Sequence, residues 1–147
     1  MTDTPNTLIL CPGQGAQAVG MGKAWFDASD VAKQTFAEAD AILGIELSKF
    51  CFEGPNDQLN RTDIAQAAIY TATVACYRAL GDKVGNVVAT AGLSLGEFSA
   101  LHLAGAMDFE AGLKLVRLRG QAMQDAAESS QGTMVAVTGD VTEEAIN

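Results

Sequence analysis

The feature that most narrows what this chain can fold into is Gly92-Leu93-Ser94-Leu95-Gly96, a Gly-x-Ser-x-Gly set between two kinds of pattern. Before it, Asn86 to Ala91 (NVVATA) reads as a strand; after it, the residues to about Ala104 read as a helix. A strand that turns abruptly into a helix through a serine holds that serine in a strained conformation, with its hydroxyl exposed. Small residues two positions to either side let strand and helix pack closely. The start of the helix then presents backbone N–H groups to a developing negative charge. The plain alternative is a glycine-framed turn that does no chemistry.

The rest of the chain alternates in the same way. Thr7 to Cys11 (TLILC) predicts a buried strand closed by Pro12-Gly13, and Pro12 to Gly22 (PGQGAQAVGMG) a loop leading into helix. Asp30 is the expected N-cap of a helix to about Leu43, with Ala32, Phe36, Ala39 and Leu43 on one face and Gly44 as the stop. A short helix over Leu47 to Phe52 ends at Gly54-Pro55. Asn60 to Asp63 open a long helix to about Leu80, apolar nearly all round and so expected to be buried on most sides. Asp108 caps a further helix to about Glu128. Thr133 to Thr138 (TMVAVT) predicts a third strand, followed by a capping-box spacing at Asp140 and Glu143. That strand has no sequential partner and its helix has barely begun. The simplest expectation is the first part of a longer protein, cut just inside a second subdomain.

Composition removes several classes. With 48% hydrophobic residues the chain is not a disordered one. Its longest apolar stretch, Ile64 to Leu80, is broken by Gln66, Tyr70, Thr71, Thr73, Tyr77 and Arg78, so no membrane span is expected. The N-terminus has no basic region typical of a leader. A formal net charge of −9 argues against nucleic acid or an anionic membrane as partner. Cys11, Cys51 and Cys76 match no metal spacing and read as reduced thiols of a cytoplasmic protein. One histidine gives a zinc site, or a complete Ser-His-Asp triad, little to draw on, and no metal ligand is assigned.

Three further places could carry chemistry. In the loop, Gly13, Gly15 and Ala18 fit a G-x-G-x-x-A dinucleotide fingerprint. That unit needs an acidic residue ending a second strand about 20 residues on, and Asp40 falls within a helical pattern. The loop reads equally as backbone N–H groups serving an oxyanion or ligand, or as a plain turn. Arg119 is the second place. At 100° per residue, Glu110, Lys114, Arg117, Gln121, Gln124 and Glu128 lie within about 40° of one line, the expected solvent face. Arg119 lies about 180° away, among Leu115, Ala122 and Ala126. A guanidinium there needs an anion. Either a buried carboxylate forms a structural salt bridge, or Arg119 clamps a substrate carboxylate. His102 is the third. Eight residues along the helix from Ser94, it rises about 12 Å from the elbow, whereas a general base must come within about 3 Å. It is expected to be an ordinary helical histidine.

Together, Pro12-Gly13-Gln14-Gly15-Ala16-Gln17, Gly92-Leu93-Ser94-Leu95-Gly96-Glu97 and Leu118-Arg119-Gly120-Gln121-Ala122-Met123-Gln124 resemble the malonyl-CoA:acyl carrier protein transacylases, relatives of polyketide acyltransferase domains. That family shows PGQGSQ, GHSLGE and an RG..MQ helix in this order and at about these distances. The resemblance implies an α/β fold: an α/β-hydrolase-like large subdomain with a central, mostly parallel sheet over residues 1–130, and the first strand of a ferredoxin-like small subdomain over 131–147. It implies Ser94 as the nucleophile, backbone N–H groups of Gln14 and Leu95 as the oxyanion hole, Arg119 as the partner of the malonyl carboxylate, and Gln66 as a pocket residue. Malonyl-CoA and acyl carrier protein would be the partners, with phosphopantetheine carried by the latter and no cofactor of the enzyme's own. Leu93 departs from the family's usual His, which alters the hydrogen bonding around Ser94. The family's base histidine lies roughly a hundred residues past the serine, so the missing half in trans is a further expected partner. Two rivals stand beside this reading: a serine esterase or thioesterase, which has no need of Arg119, and a non-catalytic split or decayed module.

Overall fold

Residues 5–129 are described in the computed structural model. Strands β1 (Asn6–Cys11) and β2 (Asn86–Gly92) lie side by side and parallel. Parallel neighbours need a long crossover. Here it consists of α1 (Lys23–Ala28), α2 (Asp30–Leu43), α3 (Leu47–Glu53), α4 (Asn56–Leu59), α5 (Thr62–Leu80) and a 3-10 turn over Gly81–Val84. After β2 come α6 (Leu95–Leu103) and α7 (Phe109–Ser129). This is the expected α/β arrangement. The third strand expected over Thr133 to Thr138, the capping box beyond it and the subdomain starting at residue 131 lie outside the described residues.

Register decides where chemistry can sit. Thr7 lies opposite Val87 and Leu8 opposite Ala89, with an irregularity between them that leaves Val88 as the extra residue. By the end of the pair, Cys11 lies opposite Gly92. The loop that starts at Pro12 and the turn that starts at Leu93 therefore leave the same sheet edge next to each other. Ligand sites of parallel sheets form at that carboxyl edge. Thr90 Oγ1 donates to the Ala100 carbonyl at 2.9 Å and ties β2 to α6.

The core lies among the helices, with α5 at its centre. Every residue of α5 from Asp63 to Thr71 is buried, as are Val74 and Ala75, which matches a helix apolar on nearly all sides. Phe26, Phe36 and Phe52 form one aromatic cluster between α1, α2 and α3, with two ring-centroid distances of 4.9 Å. The ring of Tyr70 stacks on Phe109 at 5.6 Å. Helix α7 comes close to α5 because two of its contact residues have no side chain. A Cβ on Gly112 would lie 2.1 Å from the Tyr70 hydroxyl oxygen, and one on Gly120 2.7 Å from the Thr62 carbonyl oxygen.

Three expectations need correction. First, a short helix over Asn56–Leu59, not expected from the sequence, stands between Gly54-Pro55 and the start of α5. Second, Ser29 rather than Asp30 caps α2. A cap needs non-helical dihedrals; Ser29 has them (φ −143°, ψ 124°), and its Oγ accepts from the Ala32 N–H at 3.4 Å. Asp30 is the first helical residue and pairs with Lys33 at 2.9 Å. Ser29→Ala is expected to cost about 0.5–1 kcal/mol, read as a thermal midpoint lowered by about 2–4 °C; an unchanged midpoint would remove Ser29 as the cap. Third, the buried face of α7 is Phe109, Gly112, Leu113, Val116 and Gly120. Arg117 and Gln124, placed on the solvent face by their charge pattern, turn back onto the start of α5. Leu115, placed on an apolar face with Arg119, is 45% exposed. The polar stripe was a poor guide because α7 packs through its glycines, and a stripe analysis gives glycine no weight.

Candidate active site

Ser94 sits between β2 and α6 with φ 54° and ψ −109°. Among the described residues it is the one non-glycine with positive φ, a conformation that costs on the order of 1–3 kcal/mol. The flanking glycines make it possible in different ways. A Cβ on Gly92 would lie 2.1 Å from the carbonyl carbon of Gly96, inside the first turn of α6. A Cβ on Gly96 would lie 2.4 Å from the Cys11 carbonyl oxygen, at the end of β1. The other loop arrives from β1: the Cβ position of Gly13 is 3.0 Å from the Leu93 carbonyl oxygen. The two loops are thus in backbone contact at the sheet edge.

A chain of hydrogen bonds then runs through the expected site residues. Gln14 Nε2 donates to Thr62 Oγ1 at 3.2 Å, and Gln14 Oε1 accepts from Gln66 Nε2 at 3.4 Å. Gln66 is fully buried. Its Oε1 accepts from Arg119 Nη1 at 2.6 Å, and its Nε2 also donates to Met123 Sδ at 3.2 Å. Arg119 Nη2 donates to Ser94 Oγ at 2.9 Å. The Arg119 guanidinium lies 5.5 Å from the centroid of the Phe98 ring, within cation–π range. Four residues from four elements are thus brought to one place. Leu95 opens α6 directly after Ser94, and neither its N–H nor that of Gln14 donates to a partner among the described residues.

Two alternatives raised by the sequence find no support among the described residues. The structural salt bridge for Arg119 is absent: among the described residues its partners are an amide, a hydroxyl and a ring, with no carboxylate. The dinucleotide reading of the loop fails on both its requirements. The Gly15 N–H donates to Gln17 Oε1 at 2.8 Å and is not open to a pyrophosphate. Asp40 accepts from the backbone N–H of Ser48 at 2.9 Å and from its hydroxyl at 2.5 Å, which caps α3.

His102 is where the helical reading puts it, away from Ser94. Its Nδ1 is 3.0 Å from the Met107 carbonyl oxygen, and its ring packs on Tyr70 and Phe109. Cys11 lies closer to the elbow, but burial pushes its thiol above the ordinary value, so it does not compete as a thiolate. No group of three or more His, Cys, Asp or Glu among the described residues could hold a metal. No described helix is long and apolar enough to cross a membrane. A cavity of about 650 Å³ opens beside β1, lined by Trp25, Cys76 and Tyr77 among others, and none of the site residues borders it.

Sequence reasoning missed what surrounds this chain of bonds: Thr62, Phe98, Met123 and, above all, the ion pair of Asp63 with Arg117. The one available signal was an acid in the first turn of a helix, which reads as an N-terminal charge preference and nothing more.

The family model for the acyl transferase domain matches residues 8–147. The chain belongs to the acyl transferase family. Among the relatives of this chain is the malonyl CoA-acyl carrier protein transacylase of Bacillus subtilis, 42% identical over 134 residues, which are 90% of this chain and 34% of the relative. The Escherichia coli K12 transacylase of the same name is 43% identical over 132 residues, 89% of this chain and 43% of the relative. The crystal structure of the Clostridium perfringens transacylase matches with a TM-score of 0.77 at 44% identity, over 82% of this chain and 38% of that one. The chain thus spans between 34% and 43% of the curated relatives it matches here.

Proposed function

We propose that this acyl transferase moves a malonyl group from malonyl-CoA to the phosphopantetheine thiol of an acyl carrier protein, by way of an ester on Ser94. The observation that carries the reading is a cation beside a nucleophile: Arg119 touches Ser94 Oγ at 2.9 Å and has no acidic partner among the described residues. Held by Gln66 on one amino group, the guanidinium can turn the other to an acyl carboxylate. An esterase acting on neutral acyl groups has no use for it. The relatives' names, malonyl CoA-acyl carrier protein transacylase, support the same substrate pair.

In this mechanism Ser94 Oγ attacks the thioester carbonyl. The new C–O bond forms as the oxygen of the carbonyl takes up negative charge. That charge is met by the N–H groups of Leu95 and Gln14, the first aided by the N-terminus of α6. Collapse of the tetrahedral intermediate breaks the C–S bond, and the serine proton leaves with the CoA thiol. The carrier's thiol then repeats the sequence in the opposite direction. The proton is relayed by a base from outside residues 5–129, since His102 is bound to Met107. The reaction takes place in the cytoplasm and needs no cofactor beyond the group on the carrier.

Arg119→Ala tests the assignment. Removing one partner of a desolvated charge pair costs about 2–5 kcal/mol, so malonyl transfer is expected to fall by about 30-fold to 5,000-fold. Acetyl transfer from acetyl-CoA should fall far less, or rise. Equal losses for the two donors, measured as carrier acylation by mass spectrometry, would return the protein to the esterase-like class.

A further inference from the structure

We propose that Asp63 is a positioning residue for Arg119: through Arg117 it fixes the roll of α7 against α5, and so sets where the acyl carboxylate is met. The inference rests on Arg119 as the carboxylate's partner.

Asp63 is 8% exposed, an expensive place for a charge unless it is paired. It is paired twice. Oδ1 accepts from Arg61 Nε at 3.0 Å and Oδ2 from Arg117 Nη1 at 3.1 Å. The same Arg117 nitrogen also donates to the Asp63 backbone carbonyl. Immediately before Asp63, the Thr62 N–H donates to Gln124 Oε1 at 3.0 Å. The start of α5 is therefore bound to α7 by a charged clamp and a side-chain cap.

What makes this a control on the site is the helical phase of α7. Gly120 faces α5, with Thr62 against it. At about 100° per residue, Arg117 stands roughly 60° to one side of Gly120 and Arg119 roughly 100° to the other. The two arginines straddle the crossing. One grips Asp63; the other grips Gln66, one turn further along α5. Gly120, having no side chain, brings nothing to this crossing that would interlock with α5. With Arg117 released, a roll of only about 10° moves a group near the helix surface by about 1 Å. A displacement of that size at a reacting centre costs up to about 10²-fold.

The test is the ratio of malonyl to acetyl transfer from the two CoA esters, measured on the whole protein for wild type, Asp63→Asn, Arg117→Gln and Arg119→Ala, with folding checked by circular dichroism. Asp63→Asn keeps the side-chain shape and removes the charge. It is expected to lower the ratio at least about 10-fold, and Arg117→Gln, which opens the clamp from α7 and serves alone if Asp63→Asn does not fold, should do the same. A residue that only holds the fold would reduce both rates together and leave the ratio unchanged. A wild-type ratio in these variants, beside a collapsed one in Arg119→Ala, overturns the positioning role alone. An unchanged ratio in Arg119→Ala itself removes the carboxylate reading, and the inference with it.

Discussion

Replacing Ser94 by alanine is expected to reduce malonyl transfer by at least about 10³-fold, because among the described residues no second nucleophile stands in its place. Intact-mass measurement after incubation with malonyl-CoA should show an ester adduct on the wild-type protein and none on Ser94→Ala. An adduct that survives in the mutant would remove Ser94 from the mechanism. A companion substitution separates chemistry from strain. Ser94→Gly is equally inactive, but glycine adopts φ 54° without the steric cost that serine bears. It should therefore melt above wild type, by the few degrees that about 1 kcal/mol represents in a domain of this size. The strain is the condition for exposing the hydroxyl, and removing it stabilises a protein that has lost its function.

The second large effect is on the fold. Gly92→Ala places a methyl carbon 2.1 Å from the carbonyl carbon of Gly96 and 2.2 Å from its oxygen. Both are backbone atoms, so no rotamer change relieves the clash. Strand β2 and helix α6 must separate, and α6 cannot shift easily because Gly96 already lies against the end of β1. Overpacking against backbone is expected to cost more than about 3 kcal/mol. The thermal midpoint should fall by more than about 10 °C, or the protein should fail to accumulate in soluble form. A midpoint within about 2 °C of wild type would mean that the elbow is not as close as described. The two glycines of the motif are thus needed for packing.

Much of this could be read from the sequence because it depends on local rules. A glycine-framed serine between strand and helix fixes its own geometry within a few residues. Gly44 in the left-handed region (φ 64°) ends α2 where a glycine stop was expected. His102 could be set aside by helix rise alone. Legibility failed where a side chain's direction depends on a partner distant in sequence. Arg117 looked like part of a solvent stripe because its neighbours at helical spacing are charged, and only the position of Asp63 in space shows otherwise. Arg119 was singled out through an expected apolar face that is in fact partly exposed. Its hydrogen-bond partner Gln66 is fifty-three residues away, which no pattern local to α7 can show. Ser29 shows the same limit on a smaller scale, since two adjacent capping residues differ only in backbone dihedrals that no composition reveals.

The parallel pairing of β1 with β2 also sets an order of events during synthesis. Asn6 bonds to Asn86 across a separation of 80 residues, so the first strand leaves the ribosome long before its neighbour exists. The helices from α1 to α5 are available to collapse first, since their contacts are nearer in sequence. The loop bearing Gln14 waits on that helical layer until Gly92 emerges and the serine turn forms beside it. Until the strand pair closes, the loop bearing Gln14 and the turn bearing Ser94 have no common edge to meet at.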